Sequence, residues 1–397
     1  MSDSSSAQAA AIIYANEVSP TMGEVSDVVD DDDTTVVDDD TNNNNSSDDG
    51  DGGSDDAVFS CAARDIMNRV GRKVGSAALE DRRFREHFGA PFEIVRMVWD
   101  MMEEVHLLPE KCEPKHLLWT LYFLKCYPKE GPGCAAVGGS KGAIDPKTMR
   151  KWVWLLLERI GELADEVVSL GFPSCPSGIV ISPPPFCHRC CPLAKPQINF
   201  ESRLVDDALN DCLMSIDGTD FRVQQKGVHE KGNAWGSHKY AGKSAVRYEL
   251  GIDILKGNLV WVEGPYPAGA WPDIKIFLNC LVGHLLPGER VEADNGYVGH
   301  PDKIMCPNNP GNPKRNLGMQ SAARSRHETF NGRLKNWGIL ERTYRHDVKL
   351  HGIVFTACAV ITQLCVANGE PLFEVEYGDG MNDDDDDEDD DDEEEDE

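Results

Sequence analysis

The first 60 of the 397 residues contain no lysine or arginine, although they include 16 acidic residues. The chain ends in a second stretch without basic residues, the 15 consecutive acids Asp383–Glu397. Most of the net charge of −30 lies in these two ends, because the rest of the chain has 38 acidic and 39 basic residues. The overall acidity therefore does not exclude nucleic-acid binding, which depends on the local field of a surface.

Large apolar side chains are also scarce at both ends. Such segments bury too little apolar surface to offset the entropy lost on ordering. We predict disordered acidic tails at residues 1–57 and 379–397. They are expected to act as solvating spacers, and the alternatives are contact with basic partners such as histones or shielding of a DNA-binding face.

No uninterrupted run of about 18 apolar residues is present, and the N-terminus lacks the basic and apolar regions of a signal peptide. The most apolar stretch, Ile353–Ala367, is interrupted by Thr356, Thr362 and Gln363, which favours a core helix. Thirteen cysteines in so long a chain do not form a disulfide framework. We expect a soluble intracellular protein with reduced thiols.

Prolines recur through residues 171–204, which predicts an extended linker rich in proline and cysteine. A structural zinc site usually has two paired ligand motifs, and only one C-x-x-C pair is regular here. We expect ordinary thiols and keep zinc binding as the alternative. The candidate ligands are Cys175, Cys187, His188, Cys190 and Cys191.

Residues 58–170 have the apolar spacing of helices and predict an all-α domain. Asp145 and Pro146 form a good helix start, as N-cap and first helical residue. A glycine-containing turn precedes this helix, whose start is basic, and this is the helix-turn-helix pattern. Arg150 and Lys151 are then candidates for DNA contact, the alternative being a helical core with a solvated charged face.

Residues 205–378 change to strand-like patterns alternating with helices, which predicts a mixed sheet with helices packed on it. Gly257-Asn258 predicts the turn of a hairpin between the second and third strands. The predicted strands are Cys212–Val223, Val246–Leu255, Leu259–Glu263 and Arg290–Ala293, and the predicted helices are Ile274–Leu286, Ser321–Trp337 and Lys349–Ala367.

Three carboxylates stand out in this region. Asp217 lies in an otherwise apolar strand, where burial is costly unless the acid is paired or binds a metal. Asp294 follows the fourth strand, and Glu328 lies within a helix. Each acid alone has an ordinary explanation, as a satisfied strand acid, a turn former and a surface charge. Together they suit hard divalent ions such as Mg²⁺, and a pair of such ions serves phosphodiester chemistry.

The segments around these acids resemble the three acid motifs of the PIF/Harbinger transposases. The resemblance covers about residues 205–375 and extends more loosely to residues 80–170. Thirty-three residues separate the second and third acids, a plausible spacing for this family. The matching motifs are Ile216-Asp217-Gly218-Thr219-Asp220, Ala293-Asp294-Asn295-Gly296-Tyr297 and His327-Glu328 with Asn331-Gly332-Arg333-Leu334-Lys335, supported by Trp271-Pro272-Asp273.

This resemblance implies a DDE superfamily endonuclease domain with an RNase H-like fold. It implies that Asp217, Asp294 and Glu328 hold two Mg²⁺ or Mn²⁺ ions. The implied reaction is cleavage at the terminal inverted repeats of a DNA element and strand transfer, in the nucleus, with a Myb-like DNA-binding partner protein. The alternative is a domesticated DNA- or chromatin-binding protein that keeps the fold without catalysis.

Two further acids are rivals for the metal site. Asp220 stands where relatives commonly have a histidine after Asp-Gly-Thr. Asp273 matches a recurring acid of the family, but after Pro272 it is expected to stabilise the first turn of a helix.

Basic residues flank Glu328 and are candidates for holding phosphates, with surface solvation as the alternative. They are Arg324, Arg326, Arg333 and Lys335. His238, Lys239 and Lys243 are weaker candidates, and His327 is expected to be structural. Residues 236–244 look like a nucleotide-binding loop, but the glycine spacing is wrong and a strand follows, so ATP binding is not expected.

Overall fold

The computed structural model describes residues 53–72, 75–164, 203, 212–224, 234–254, 256–310 and 317–372. The tail predicted at residues 379–397 lies outside the described residues, as does all but the end of the tail predicted at 1–57. Of the predicted linker, only Arg203 is described.

The described residues up to 164 are helical. Ser76 caps the second helix by accepting the N–H of Leu79, and Gly89 ends it in the left-handed region with φ of 90°. Phe84 and Phe88 of this helix are buried, with their rings 4.8 Å apart. The helices are α1 (Gly53–Ile66), α2 (Ala77–Phe88), α3 (Phe92–Glu104), α4 (Pro114–Cys126), α5 (Glu130–Val137) and α6 (Pro146–Glu162).

Helix α6 begins as its sequence predicts. The Asp145 carboxylate accepts the N–H of Thr148 at 2.9 Å, and Pro146 occupies the first turn. The apolar face of α6, with Trp152 and Leu156, is buried, and α6 contacts α4 and the C-terminal helix His351–Ala367. The helix-turn-helix role of this region stays a prediction.

The second half contains the predicted mixed α/β sheet with helices packed against it. The strand order is β3-β2-β1-β4-β5. Strand β2 pairs antiparallel with β1 and β3, whereas β4 pairs parallel with β1 and β5. This arrangement is compatible with an RNase H-like fold. The strands are β1 (Cys212–Arg222), β2 (Ala245–Asp253), β3 (Leu259–Pro267), β4 (Arg290–Ala293) and β5 (Ile304–Met305).

The predicted hairpin joins β2 and β3. Gly257 has φ of 77°, a left-handed conformation that favours glycine. The Asp253 carboxylate accepts the N–H groups of Lys256 at 2.6 Å and Asn258 at 3.0 Å, which closes the turn.

The later helices differ in detail from the prediction. The helix predicted at 274–286 is a segment from Asp273 to His284 that contains a π-helical stretch, Phe277–Leu281. The helix predicted to begin at Ser321 begins at Leu317, and strand β5 was not predicted because two residues show no periodicity. The helices are α7 (Asp273–Ile276), α8 (Leu317–Lys335), α9 (Gly338–Glu341) and α10 (His351–Ala367).

The sheet is covered on both faces. On one face Tyr248 of β2 stacks on Phe355 of α10 at 3.8 Å, within a core that also includes the N-terminal helices. On the other face Ile216 of β1 packs in a second core with Phe277 and Leu281. The segment Val348–Ala367 is long and apolar enough to cross a membrane, but 78% of its most apolar window is buried, the placement expected of a core helix.

Candidate functional site

The three predicted acids line one pocket of about 70 Å³. Asp217 lies in β1, Asp294 directly follows β4, and Glu328 lies on α8. Ile216 and Ala293 are register partners in the parallel pair β1–β4, so the residue after each one lies at the same edge of the sheet. Two neighbouring strands and one covering helix therefore bring together acids that are far apart in the sequence.

Asp217 is held in place by the helix above it. Its Oδ2 accepts a hydrogen bond from Nδ2 of Asn331, on α8, at 3.1 Å. Burial raises the pKa of Asp217 to about 6; Lys239 opposes this shift, and Asp294 adds to it. The negative charge of Asp294 thus lies close enough to disfavour ionisation of Asp217.

Asp294 and Glu328 are less enclosed. Oδ1 of Asp294 accepts the N–H of Gly296 at 2.8 Å, which fixes the turn after β4. Glu328 is exposed on α8. Within the described ranges, no group of three His, Cys, Asp or Glu side chains stands close enough to hold a metal ion. The pocket gathers the acids without closing a ligand set around one point.

A fourth acid, Glu292, lines the same pocket and is not among the site residues predicted from the sequence. Glu292 is 1% exposed, and neither of its carboxylate oxygens has a hydrogen-bond partner. Burial raises its pKa to about 8, against the opposing influence of Arg324 and Arg326. The signal that could have found it is the one used for Asp217, an acid between apolar strand residues.

Two lysines lie near Asp217. The Lys239 ammonium donates to the carbonyl of Gly218 at 2.6 Å, one residue from Asp217. Lys335 is half-buried on α8; burial lowers its pKa, and the nearby charge of Lys239 adds to that shift. Both lysines therefore place positive charge beside the acids. Lys335 was a predicted site residue, and Lys239 was a weaker candidate.

The other basic residues on α8 have different placements. Arg324 is exposed and lines the pocket. Arg326 is 2% exposed and donates to the carbonyls of Asp253 at 3.2 Å and Ile254 at 2.5 Å, so the expectation that it contacts phosphates is corrected. Arg333 donates to the backbone carbonyls of Glu370 and Pro371, and it does not line the pocket.

The N-terminal candidates lie outside the pocket. Arg150 is exposed and forms an ion pair with Glu130, with Nη2 and Oε1 2.5 Å apart. Lys151 is exposed, with its ammonium 5.4 Å from the centre of the Trp152 ring. Both can meet solvent or a ligand, and their contact with DNA stays a prediction.

The two rival acids belong to a network on the opposite face of the sheet. Oδ1 and Oδ2 of Asp220 accept hydrogen bonds from Nε and Nη2 of Arg247 at 2.7 and 3.0 Å, and Oδ2 also accepts from Ser237. Burial opposes ionisation of Asp220, but these hydrogen bonds outweigh it and leave the pKa of Asp220 below its usual value. Nη1 of Arg247 lies 3.1 Å from Oδ1 of Asp273. Arg247 therefore occupies the position that a cation would take between these acids.

Asp273 nevertheless approaches the site from below. It lies in the first turn of α7, as predicted, and a Cβ on Gly218 would stand 1.9 Å from its Oδ1. Burial raises the pKa of Asp273 to about 6, Arg247 opposes this, and Asp217 adds to it. Gly218 is thus the residue that lets Asp273 reach the backbone beside Asp217.

His327 lines the pocket from α8 and is buried. Burial lowers its pKa to about 4, so the ring is neutral at neutral pH. This placement agrees with the structural role expected of it. His238 and Lys243 are exposed and do not line the pocket.

The chemistry of the pocket fits a hard divalent cation. The acids that line it are Asp217, Asp294, Glu328 and Glu292, and carboxylate oxygens are the ligands that Mg²⁺ and Mn²⁺ prefer. The unpartnered oxygens of buried Glu292 are available to such an ion. The zinc candidates Cys175, Cys187, His188, Cys190 and Cys191 lie outside the described residues.

No protein-family model, curated protein or solved structure matches this chain.

Proposed function

We propose that the chain is a transposase-type DNA endonuclease and strand transferase of the DDE kind, as its resemblance to the PIF/Harbinger transposases implies. The observation that supports this most is the meeting of Asp217, Asp294 and Glu328 at one pocket. These acids are predicted from the sequence by their positions and motifs, and they come from β1, the end of β4 and α8. A mixed sheet compatible with an RNase H-like fold supports the same proposal.

In this proposal the three acids hold divalent ions beside the scissile phosphodiester. A pair of such ions activates the attacking oxygen and stabilises the leaving oxygen in phosphodiester cleavage. Asn331 orients the carboxylate of Asp217 through its hydrogen bond to Oδ2. The neutral His327 fills the wall of the pocket between the acids and the core.

The lysines that flank the pocket suit the backbone of DNA. Lys239 and Lys335 place two ammonium groups near Asp217, and Arg324 lies at the rim. Contacts of this kind fix the position of a nucleic acid without reading its sequence. The N-terminal helices with Arg150 and Lys151, a Myb-like partner, a nuclear location and contact of the acidic tails with histones are further parts of the proposal.

The test is a cleavage assay with Mg²⁺ or Mn²⁺ on DNA that ends in the terminal inverted repeats flanking the gene, with the Myb-like partner added. Wild type should cut and join strands, and Asp294→Asn and Glu328→Gln should not. Glu158→Gln, an exposed acid on α6, is the matched control and should behave as wild type. Equal cleavage by wild type and Asp294→Asn would refute the proposed site.

A second candidate function is DNA or chromatin binding without catalysis. One observation favours it: within the described ranges the acids do not form a closed metal-binding group. The same preparations separate the two functions. Binding of the DNA ends by wild type without cleavage in either metal, and unchanged binding by Asp294→Asn, would support the second function over the first.

A further inference from the structure

Glu292 lies close to Asp217 and Asp294 on one face of the sheet. In the parallel pair β1–β4, Ser215 is the register partner of Glu292. Asp217 lies two residues after Ser215, and Asp294 lies two residues after Glu292. Because side chains alternate along a strand, Glu292 faces the same side as Asp217, under α8. It lines the pocket with the three predicted acids.

The burial of Glu292 is unusual among the acids of this protein. The other buried carboxylates all have partners: Asp220 pairs with Arg247, Glu289 with Arg203, Glu249 accepts from Tyr297, and Asp253 accepts two backbone N–H groups. In the part of the chain that the structure describes, Glu292 alone leaves both oxygens of a buried carboxylate without a hydrogen bond. A buried polar group without a partner is costly and calls for an explanation, and an ion is one such explanation.

Neighbouring arginines do not supply that partner. Nη1 of Arg326 donates to the carbonyls of Asp253 and Ile254, and no hydrogen bond joins Arg326 to Glu292. Arg324 lies at the exposed rim of the pocket, and it also makes no hydrogen bond to Glu292. The carboxylate instead lines a pocket that it shares with the acids Asp217, Asp294 and Glu328.

We propose that Glu292 is a fourth acidic ligand at this pocket, binding a divalent cation together with Asp217 and Asp294. This inference rests on the proposed metal-dependent function.

The test measures metal binding rather than activity. The full chain is titrated with Mn²⁺ by calorimetry at physiological salt, as wild type, Glu292→Gln, Asp294→Asn and Glu249→Gln. Glu249 is the matched control, because it is a buried acid at the same depth on the opposite face of the sheet. Glu292→Gln should weaken Mn²⁺ binding by at least about 10-fold, because even outer-shell partners of metal ligands typically contribute about 10- to 100-fold in affinity. Glu249→Gln should leave Mn²⁺ binding unchanged.

The acidic ends of the chain also attract cations, so a second readout locates the ion. Fe²⁺ with ascorbate and peroxide cleaves the backbone nearest the bound metal, and mass spectrometry identifies the fragments. Wild type should be cut near residues 217, 293 and 328, and Mn²⁺ should suppress these cuts. Glu292→Gln should lose them, while its circular dichroism and unfolding midpoint without metal show that it is folded. If it does not fold, Glu292→Asp takes its place, with weakened cuts expected.

The outcomes separate this inference from the function on which it rests. The role of Glu292 would be overturned if Glu292→Gln binds Mn²⁺ and is cut locally as the wild type is, while Asp294→Asn loses both properties. The proposed site would then stand. No local cuts in wild type, and equal Mn²⁺ binding by wild type and Asp294→Asn, would overturn both. Both the role of Glu292 and the proposed site are supported if Glu292→Gln and Asp294→Asn lose Mn²⁺ binding and the local cuts, while Glu249→Gln behaves as the wild type.

Discussion

Replacement of Arg247 by methionine should expose the energetic role of the buried network under the sheet. Arg247 is 7% exposed and Asp220 is 1% exposed, and two hydrogen bonds of 2.7 and 3.0 Å join them. Methionine fills much of the volume but leaves the Asp220 carboxylate with Ser237 as its remaining side-chain donor. Removing one partner of a buried ion pair costs about 3–5 kcal/mol, out of a typical stability of about 5–15 kcal/mol.

The loss should depend on pH in a defined direction. In the wild type the pKa of Asp220 is held below its usual value, so the stability that Asp220 contributes is present above the unfolded pKa and is lost as pH falls through the folded one. In Arg247→Met this stabilising contribution of Asp220 disappears. The buried Asp220 carboxylate, now without its arginine, destabilises the fold only while it is ionised. The difference in unfolding free energy between wild type and variant should therefore be largest at pH 7–8 and shrink on acidification.

Urea unfolding followed by circular dichroism at pH 7.5 and pH 4.5 measures this difference. The double variant Arg247→Met with Asp220→Asn should recover part of the stability at pH 7.5, because position 220 then carries no charge, although Asp273 still lacks its ion pair with Arg247. Arg150→Met is the matched control, since its ion pair with Glu130 is about half exposed and should contribute less than about 1 kcal/mol. A cost below about 1 kcal/mol for Arg247→Met, or no recovery in the double variant, would refute the reasoning.

Two further variants probe close packing and buried charge near the site. Gly218→Ala would place a Cβ 1.9 Å from Oδ1 of Asp273, so we expect a loss of about 1–3 kcal/mol in urea unfolding, whereas Gly283→Ala, with open space around it, should be nearly neutral. A Gly218→Ala protein as stable as wild type would contradict the close approach. Burial raises the pKa of Glu249 well above its usual value, so the native state binds more protons than the unfolded state above the unfolded pKa, and this group lowers stability as pH rises. Glu249→Gln should therefore gain stability over wild type between pH 5 and pH 8, by on the order of 1 kcal/mol per pH unit at most. A stability advantage that does not grow with pH would argue against a buried Glu249 with a raised pKa.

The sheet and its covering helices could be predicted because their patterns are strong. Strands β1 to β4 follow alternating or continuous apolar runs, and Gly257-Asn258 marks the hairpin. The two-residue strand β5 carries no period that could be detected. The π-helical stretch after α7 has nearly the same apolar spacing as an α-helix, so the pattern could not distinguish the two.

The candidate site was predictable where an acid interrupts an apolar strand or directly follows one. Asp217 and Asp294 fit that description, and parallel pairing of β1 with β4 then places them side by side. Glu292, between Val291 and Ala293, carries the same signal but lies outside the segments that resemble the family motifs. The resemblance implies a role for three acids, whereas the burial of Glu292 is a property of the folded chain.

Helix α8 shows that a basic residue next to a site acid is not always free to contact a phosphate. Ala323, Arg326, Phe330 and Leu334 recur at spacings of three and four residues, and all four are buried. Arg326 therefore lies on the buried stripe of its helix, and the spacing alone could have placed it there. Its guanidinium meets the carbonyls at the end of β2, which are acceptors that the sequence does not reveal. The residue expected to touch DNA instead ties α8 to the sheet, two positions before Glu328.

Arg326→Met tests that reassignment. Loss of its hydrogen bonds removes the Arg326 donor from the carbonyl of Ile254, whereas the carbonyl of Asp253 keeps the N–H of Gly257 at 3.1 Å. Urea unfolding should therefore show a loss of about 1–3 kcal/mol. DNA affinity of the folded variant and its dependence on salt should match wild type, because a buried guanidinium neutralises no phosphate. Lys335→Met, beside the pocket, should instead weaken DNA binding and reduce the salt slope by about 1. A reduced salt slope in Arg326→Met, with unchanged stability, would show that Arg326 faces DNA after all.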